Sequence, residues 1–282
     1  MGAPALFLFL AFYLYPALQN LQFATRRWDG ITPPESVGLH NFVNLLTNDD
    51  LFYKTLGNNL EFTFIVVLFQ TALSLLFAIY LVNNSRVNVF LRTLFFFPTI
   101  LSSVSVGMIW LFLYDPNFGA INLFFTNIGL KGFALNWLGS ESSALYAIAF
   151  SQVWFHTGQM MVVYIAGLQQ IPKELYEAAE VDGASRWKQF TSVTWPMAMP
   201  TTLVVMAYTT IQSFRAFDLI MVMTNSTAGP NNATSIFSTL VYFTLFNELR
   251  LGYAAAQTIF MVITMLLITW LQRRAFGRKY EK

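Results

Sequence analysis

The chain has 282 residues, of which 56% are apolar and 11% are charged, and its formal net charge is +2. Soluble domains carry about 25% charged residues, so this composition excludes an ordinary soluble domain and favours a protein embedded in a lipid bilayer. The small net charge gives no support for nucleic-acid binding, and the absence of cysteine excludes disulfides and thiolate metal sites.

Six stretches of the chain are apolar over about 20 residues, the length needed to cross a bilayer. We therefore predict an all-α, polytopic membrane protein with six transmembrane helices. The first stretch begins almost at Met1 with no basic segment before it, unlike a secretory signal, so we expect it to be a retained span. The six predicted spans are residues 2–23, 59–82, 93–114, 143–168, 201–223 and 253–271.

The distribution of Lys and Arg predicts the orientation of these spans. An even number of spans puts both termini on one side. Placing the termini in the cytoplasm gives ten basic residues in cytoplasmic segments and five in outer segments, so we predict cytoplasmic termini. The ten are Arg86, Arg92, Lys173, Arg186, Lys188, Arg273, Arg274, Arg278, Lys279 and Lys282, and the five are Arg26, Arg27, Lys54, Lys131 and Arg250.

The third and fourth predicted spans carry features beyond their apolarity. Pro98 interrupts the third span and predicts a kink, either a hinge or a fixed bend. In the fourth span, polar and aromatic residues recur at i, i+3, i+4 and i+7, which places them on one helix face. No second ligand lies at metal spacing from the histidine in this set, so we predict no metal site. The set is Gln152, Phe155, His156 and Gln159.

The segment between the fourth and fifth spans, residues 171–200, is a long polar interruption with its own local pattern. Pro172 suits the start of a helix, and the residues from 173 to 182 are mostly good helix formers. Gly183 can close that helix in the left-handed conformation, and Ser185 can cap a second short helix. Leu175, Ala178, Ala179 and Asp182 share one face of the first helix, which is shallow because of the two alanines.

The fifth predicted span carries Thr209, Gln212 and Ser213 near its middle, with Arg215 and Asp218 toward its outer end. Polar groups are costly in lipid, so they face a neighbouring helix or a water-filled path. Amides and hydroxyls bind sugar hydroxyls, so the residues of the fourth and fifth spans suit a path for a neutral polyol; hydrogen bonding between helices is the alternative. For Arg215 and Asp218 we predict either a structural pair or a gate that contacts a partner.

The segment 171–200 resembles the EAA loop of ABC-importer permeases. The resemblance rests on Glu177-Ala178-Ala179 and Asp182-Gly183-Ala184, followed by Trp187, Phe190, Pro196 and Pro200. The chain departs from the common pattern at Trp195, where that family usually has Leu. The chain also resembles the carbohydrate-uptake (maltose-type, F-like subunit) branch of that family at residues 38–42, 228–230 and 252–256 and in the tail from Leu271.

This resemblance implies a type I permease core over residues 59–272, preceded by a first helix and outer loop (1–58) and followed by a basic cytoplasmic tail (273–282). It also implies that the EAA loop is a cytoplasmic coupling helix that docks into an ATPase subunit. The implied coupling residues are Glu177, Ala178, Ala179, Asp182, Gly183, Trp187 and Phe190. The implied substrate path contains Gln152, Phe155, His156, Gln159, Thr209 and Ser213, and the polar residues of the fifth span add Gln212.

The partners implied by the resemblance are a second homologous permease in a heterodimer, two ATPase subunits and an extracellular sugar-binding protein. The chain lacks a phosphate-binding Gly-x-x-x-x-Gly-Lys-Ser/Thr motif, so ATP and Mg²⁺ would be bound by the ATPase and this chain would hold no cofactor. It also lacks Gly-x-Ser-x-Gly and His-Glu-x-x-His, so we predict that it is not an enzyme. The expected location is a bacterial-type cytoplasmic membrane.

Two other functions stay open from the residues. One is an importer for glycerol phosphate esters or another small polar solute, because Arg215 could meet a phosphate. The other is an ion-coupled secondary transporter, for which Arg215 and Asp218 are the candidate intramembrane charges. An enzyme acting on membrane lipids would need a cluster of catalytic carboxylates or histidines, and the sequence offers none.

Overall fold

The computed structural model describes residues 3–277 and confirms a predominantly helical fold. A short antiparallel ribbon pairs β1 (Arg26–Arg27) with β2 (Glu35–Ser36). Part of the predicted basic tail lies outside the described residues, including Arg278, Lys279 and Lys282. The helices are α1 (Ala3–Phe23), α2 (His40–Thr47), α3 (Asp50–Leu81), α4 (Arg86–Phe96), α5 (Ser103–Leu113), α6 (Ala120–Asn127), α7 (Ala144–Leu168), α8 (Lys173–Val181), α9 (Arg186–Gln189), α10 (Trp195–Phe214), α11 (Phe217–Met223), α12 (Phe237–Phe246) and α13 (Leu251–Gln272).

Three helical stretches within residues 3–277 are long and apolar enough to cross a membrane: α1, α3 and the segment Leu251–Phe276 that begins with α13. A fourth crossing results if Arg86–Ile100 and α5, which meet at 98°, are counted as one broken span. α7 and α10 contain no Asp, Glu, Lys or Arg but are not among these stretches. Length and composition therefore identify three or four spans, fewer than the six that we predicted.

The predicted third span, residues 93–114, is not one kinked helix but two helices at nearly a right angle. Pro98 lies in a 3-10 turn (Phe97–Ile100) that ends α4, because proline cannot donate the backbone hydrogen bond that a helix needs. Ser102 then starts α5, accepting a hydrogen bond from the backbone N–H of Ser105 at 3.2 Å. The proline thus does more than bend the span, because a new capped helix begins after it.

The predicted fifth span, residues 201–223, is also divided. α10 starts earlier, at Trp195, with Pro196 in its first turn, where a missing N–H is harmless. It ends at Phe214, because the backbone leaves the helical region at Arg215 (φ −103°, ψ 11°) and Ala216 (φ −73°, ψ 46°). α11 follows as a separate short helix that packs against α5. Residues 215 and 218 therefore do not share one helix.

The described residues form two compact units, and the first contains residues 3–59 and 235–266. Its core centres on Phe52, whose ring meets that of Phe260 edge-on at 5.3 Å. Asn59 accepts a hydrogen bond from the backbone N–H of Phe237 at 3.0 Å, which fixes the start of α12. Many side chains of α1 are exposed, including Phe12 at 71%, as expected for a surface that faces lipid.

The second unit contains residues 60–234 and 267–277, and its core is built around α7. Tyr164 and Met161 of α7 are fully buried, and α7 packs against α4 and α10. Gly158 allows a close approach, because a Cβ added there would lie 1.9 Å from the carbonyl oxygen of Phe95. Arg92 of α4 closes the end of α3, with its Nε donating to the Leu81 carbonyl at 2.8 Å.

Candidate functional site

A cavity of about 280 Å³ opens in the second unit between α7, α10, α11 and the first residue of α5. It is smaller than a site for a drug-sized ligand, which holds about 300–1,000 Å³. Its wall mixes amides, aromatic rings and two charged residues. The residues that line it are Ser103, Gln152, Phe155, His156, Tyr208, Ile211, Gln212, Arg215, Ala216, Asp218 and Leu219.

The polar face predicted for the fourth span lies at this cavity. Gln152 and Phe155 are buried and His156 is half-buried, and all three line the wall. The rings of Phe155 and His156 have centroids 4.1 Å apart. Their i, i+3, i+4 spacing on α7 brings them to one face, as the sequence indicated. Gln159, one turn further, contacts the wall through Tyr208 and Gln212.

The residues predicted in the fifth span separate into two faces of α10. Gln212 lines the cavity, whereas Thr209 and Ser213 are fully buried and do not. Thr209 accepts a hydrogen bond from Gln70 of α3 at 3.2 Å, and the Ser213 hydroxyl donates to the Thr209 carbonyl at 2.9 Å. Residues 209 and 213 are four apart and buried outside the cavity wall, whereas Gln212 meets both the cavity and Gln70 of α3.

Tyr208 and Gln70 were missed by the sequence reasoning. Tyr208 lies four residues before Gln212 and therefore on the same face of α10, a spacing that could have revealed it. Gln70 is fully buried on α3, and its amide also donates to Gln212 at 3.3 Å. Gln212 donates to Gln159 at 3.2 Å, and Gln159 donates to the Tyr208 hydroxyl at 3.4 Å. Amides thus form a continuous chain from α3 to the cavity.

Arg215 and Asp218 both line the cavity, but they do not form the predicted ion pair. Asp218 instead accepts a hydrogen bond from the Ser103 hydroxyl at 2.7 Å, and neither of these two residues is in any salt bridge within residues 3–277. The non-helical backbone at Ala216 explains this, because the i, i+3 geometry exists only within one helix.

The segment 171–200 follows its predicted local pattern closely. α8 covers residues 173–181 and ends at Gly183, which has φ +72°. The backbone N–H of Gly183 donates to the carbonyl oxygen of Glu180 at 2.9 Å, and the N–H of Ala184 donates to the carbonyl oxygen of Ala179 at 2.9 Å. These two hydrogen bonds form a Schellman motif. Ser185 then caps α9 by accepting from the backbone N–H of Lys188 at 3.3 Å.

The surface of this segment is exposed. Glu177, Ala178, Asp182 and Gly183 are all exposed, while Ala179 and Phe190 are half-buried. The most exposed of its large apolar side chains are Val181, at 88%, and Trp187, at 73%. The loop is tied to the helix after it, because the hydroxyls of Tyr176 and Thr194 lie 3.0 Å apart.

A helical chain with long apolar spans, a cavity between helices and a structured polar loop has the features of a membrane transport subunit. The family of binding-protein-dependent transport system inner membrane components matches residues 70–281, and the chain belongs to that family. The predicted relationship to importer permeases is therefore confirmed, and the protein is a membrane component of a transport system rather than a soluble enzyme.

Named relatives cover nearly the whole chain. The chain is 32% identical to the probable ABC transporter permease protein YurN of Bacillus subtilis over 99% of its own length and 95% of the relative's. It is 31% identical to the trehalose/maltose transport system permease protein MalF of Thermococcus litoralis, over 99% and 93% of the two lengths. A crystallised bacterial ABC transporter involved in import of the acidic polysaccharide alginate matches with a TM-score of 0.82 and 25% identity, over 99% of this chain and 94% of that chain.

Proposed function

We propose that this chain is a permease subunit of an ATP-driven importer for a sugar or short oligosaccharide that an extracellular binding protein delivers. The cavity carries this proposal, since its wall offers the Gln152 and Gln212 amides, the Tyr208 hydroxyl and the Phe155 ring. Amides and hydroxyls match the hydroxyls of a sugar, and an aromatic ring matches its apolar face. Relatives named for trehalose/maltose and for alginate support the same class of solute.

The proposed topology has six crossings with both termini in the cytoplasm. Besides the three long apolar helices, it takes α4 with α5 as one broken crossing, α7 as another, and α10 with α11 as the last. Broken and polar spans are tolerated in membranes where they line a cavity inside protein. Those three crossings contribute every residue that lines the cavity, and the excess of basic residues on the side of the termini supports the orientation.

In this proposal, segment 171–200 is a cytoplasmic coupling loop that binds a partner ATPase, which holds ATP and Mg²⁺. Glu177 supports a charged contact there, because it is exposed and makes no salt bridge within the described chain. The small side chains of Ala178 and Ala179 allow close approach. Closure of two ATPases on ATP would pull this loop and that of a second, homologous permease, and the heterodimer would turn the cavity outward toward the docked binding protein.

Transport by a reconstituted complex tests the proposal. The chain, its partner permease and the ATPase are incorporated into liposomes with the binding protein outside, and uptake of labelled maltose, trehalose and maltotriose is measured with and without ATP inside. We expect uptake of at least one sugar that requires both ATP and the binding protein. Uptake that is driven by an ion gradient without ATP would instead establish the secondary transporter.

Substitution of Glu177 tests the coupling part. Glu177→Lys should abolish uptake and the stimulation of ATPase activity while the chain still inserts in the membrane, because the charge at the contact is reversed. Glu141→Lys makes the same change at an exposed position outside the loop and should leave both activities near wild type. Normal uptake by Glu177→Lys would count against the coupling role.

A second solute class has one observation in its favour. Arg215 lines the cavity without an ion-pair partner among the described residues, so its guanidinium could bind the phosphate of a glycerol phosphate ester. A competition assay of sugar uptake distinguishes a sugar from a glycerol phosphate ester as the transported solute. Glycerol phosphate esters should not reduce sugar uptake at millimolar concentration, and strong inhibition that is lost in Arg215→Gln would favour the phosphate ester.

A further inference from the structure

The chain of amides behind the cavity has one donor direction throughout. Gln70 donates through Nε2 to Oε1 of Gln212, Gln212 donates through Nε2 to Oε1 of Gln159, and Gln159 donates through Nε2 to the hydroxyl oxygen of Tyr208. Because a carboxamide donates on one side and accepts on the other, the orientation of the first amide fixes that of each later one. The last member, Tyr208, lines the cavity, and the first is fully buried on α3.

The direction decides what Tyr208 offers to a bound solute. In the observed direction its oxygen accepts from Gln159, so its own O–H is free to donate into the cavity. If every amide turned over, Tyr208 would have to donate to Gln159, and the cavity would lose that donor. Which of these two hydrogen-bond directions forms depends first on Gln70, the residue of α3 that faces Gln212.

Burial of Gln70 is energetically unfavourable. The residue is 0% exposed, and its carbonyl oxygen Oε1 has no hydrogen-bond partner in the described chain. A buried polar atom without a partner costs stability, and an apolar residue of similar size would avoid that cost. What the position gains is a donor, since Nε2 serves both Gln212 at 3.3 Å and Thr209 at 3.2 Å.

We propose that Gln70 is a positioning residue for solute selection: it orients the amides of Gln212 and Gln159 so that Tyr208 presents its O–H to an acceptor oxygen of the solute. This inference rests on the proposed import function and names the part of the cavity that selects the solute. A hydroxyl, ring or glycosidic oxygen of a sugar is the matching chemistry.

A double-mutant cycle with Gln70→Leu and Tyr208→Phe tests the coupling between the two residues. In the reconstituted complex, each single substitution should raise the KM for maltose by about threefold to tenfold, the effect of losing one hydrogen bond, and leave the maximal rate near wild type. The double variant should match Tyr208→Phe alone. The control is Gln257→Leu, another buried glutamine whose Oε1 has no hydrogen-bond partner among the described residues; it is outside the chain of amides and should not change KM.

A raised KM in Tyr208→Phe together with an unchanged KM in Gln70→Leu would overturn the inference, and so would KM effects that multiply in the double variant. A defect in folding alone would reduce the maximal rate and the amount of inserted protein in Gln70→Leu, without the shared change in KM. That outcome also counts against a positioning role.

A spectroscopic measurement separates this inference from the proposed function. 3-Fluorotyrosine incorporated at position 208 of the complex in lipid nanodiscs reports whether its hydroxyl accepts a hydrogen bond. Gln70→Leu should shift the ¹⁹F resonance, and Gln257→Leu should leave it in place. If no sugar is transported but the resonance shifts, the proposed solute class fails and the positioning role stands; an unshifted resonance overturns the positioning role even in an active sugar importer.

Discussion

Gly183 ends α8 with φ +72°, and we predict that this backbone conformation is what makes glycine necessary there. A Cβ added at Gly183 would meet no heavy atom within 4 Å, so steric overlap inside the chain contributes nothing. The remaining cost is that of an L side chain in the left-handed region, about 1–2 kcal/mol for an ordinary residue and less for asparagine. A change of that size shifts a local equilibrium by about 5–30-fold, away from the Schellman ending that orients the loop.

Three variants separate the conformational effect from the effect of size. Gly183→Val should lower uptake and ATPase stimulation strongly, because a β-branched residue is least compatible with positive φ. Gly183→Asn should retain most of both activities, although its side chain has similar bulk. Gly132→Val is the control, since Gly132 also has open space around an added Cβ but does not have positive φ.

The assay measures binding of the purified ATPase to nanodiscs containing the permease pair, together with uptake and the amount of chain in the membrane. Equal activity of Gly183→Val and wild type would refute the conformational argument. If Gly183→Asn were as inactive as Gly183→Val, the partner would have to approach the bare glycine surface itself, and the backbone explanation would be wrong.

Three further predictions concern the second unit. Gly158→Ala should lower the thermal unfolding temperature of the detergent-solubilised chain by several degrees, because its Cβ would overlap a backbone carbonyl at 1.9 Å; Gly57→Ala, in open space within a helix, should not lower it. Arg92→Ala should destabilise the chain by about 1–3 kcal/mol in the same measurement, since it leaves carbonyls at the end of α3 without their donor, and Lys in its place should restore little. Ser103→Ala and Asp218→Ala should be non-additive in uptake, because the two side chains share one hydrogen bond, and additive effects would contradict that pairing.

Local rules predicted the segment 171–200 well. The end of α8 at Gly183 and the capping of α9 by Ser185 both depend on residues within one helical turn, so the sequence contains all the information that they need. The face of α7 that carries Gln152 and His156 followed in the same way from helical periodicity. Short-range geometry is independent of the rest of the fold, which is why these predictions agree with the structure.

Features that depend on distant neighbours were not predictable in the same way. Pro98 predicted a kink but not the right-angle turn that follows it. A hydropathy window averages across a break, so the division at Ala216 looked like a continuous span. Periodicity shows which residues share a face, but it does not show which neighbour that face meets. Thr209 and Gln212 were both predicted to line the solute path for this reason, although only Gln212 lines the cavity and Thr209 is buried beside Gln70.

The two sites of this chain are joined by a single helical segment, and this bears on how they could communicate. α9, the π turn Phe190–Thr194 and α10 follow one another without leaving the helical region of the backbone. From Trp187 in the loop to Gln212 at the cavity is 25 residues, or about 38 Å at 1.5 Å per residue. Under the proposed coupling role, displacement of the loop by a partner would be carried to the cavity wall along this continuous helical segment, without a side-chain relay. Since the segment ends just before Ala216, the opposite wall formed by α11 and α5 need not follow it, and relative movement of the two walls would open and close the cavity.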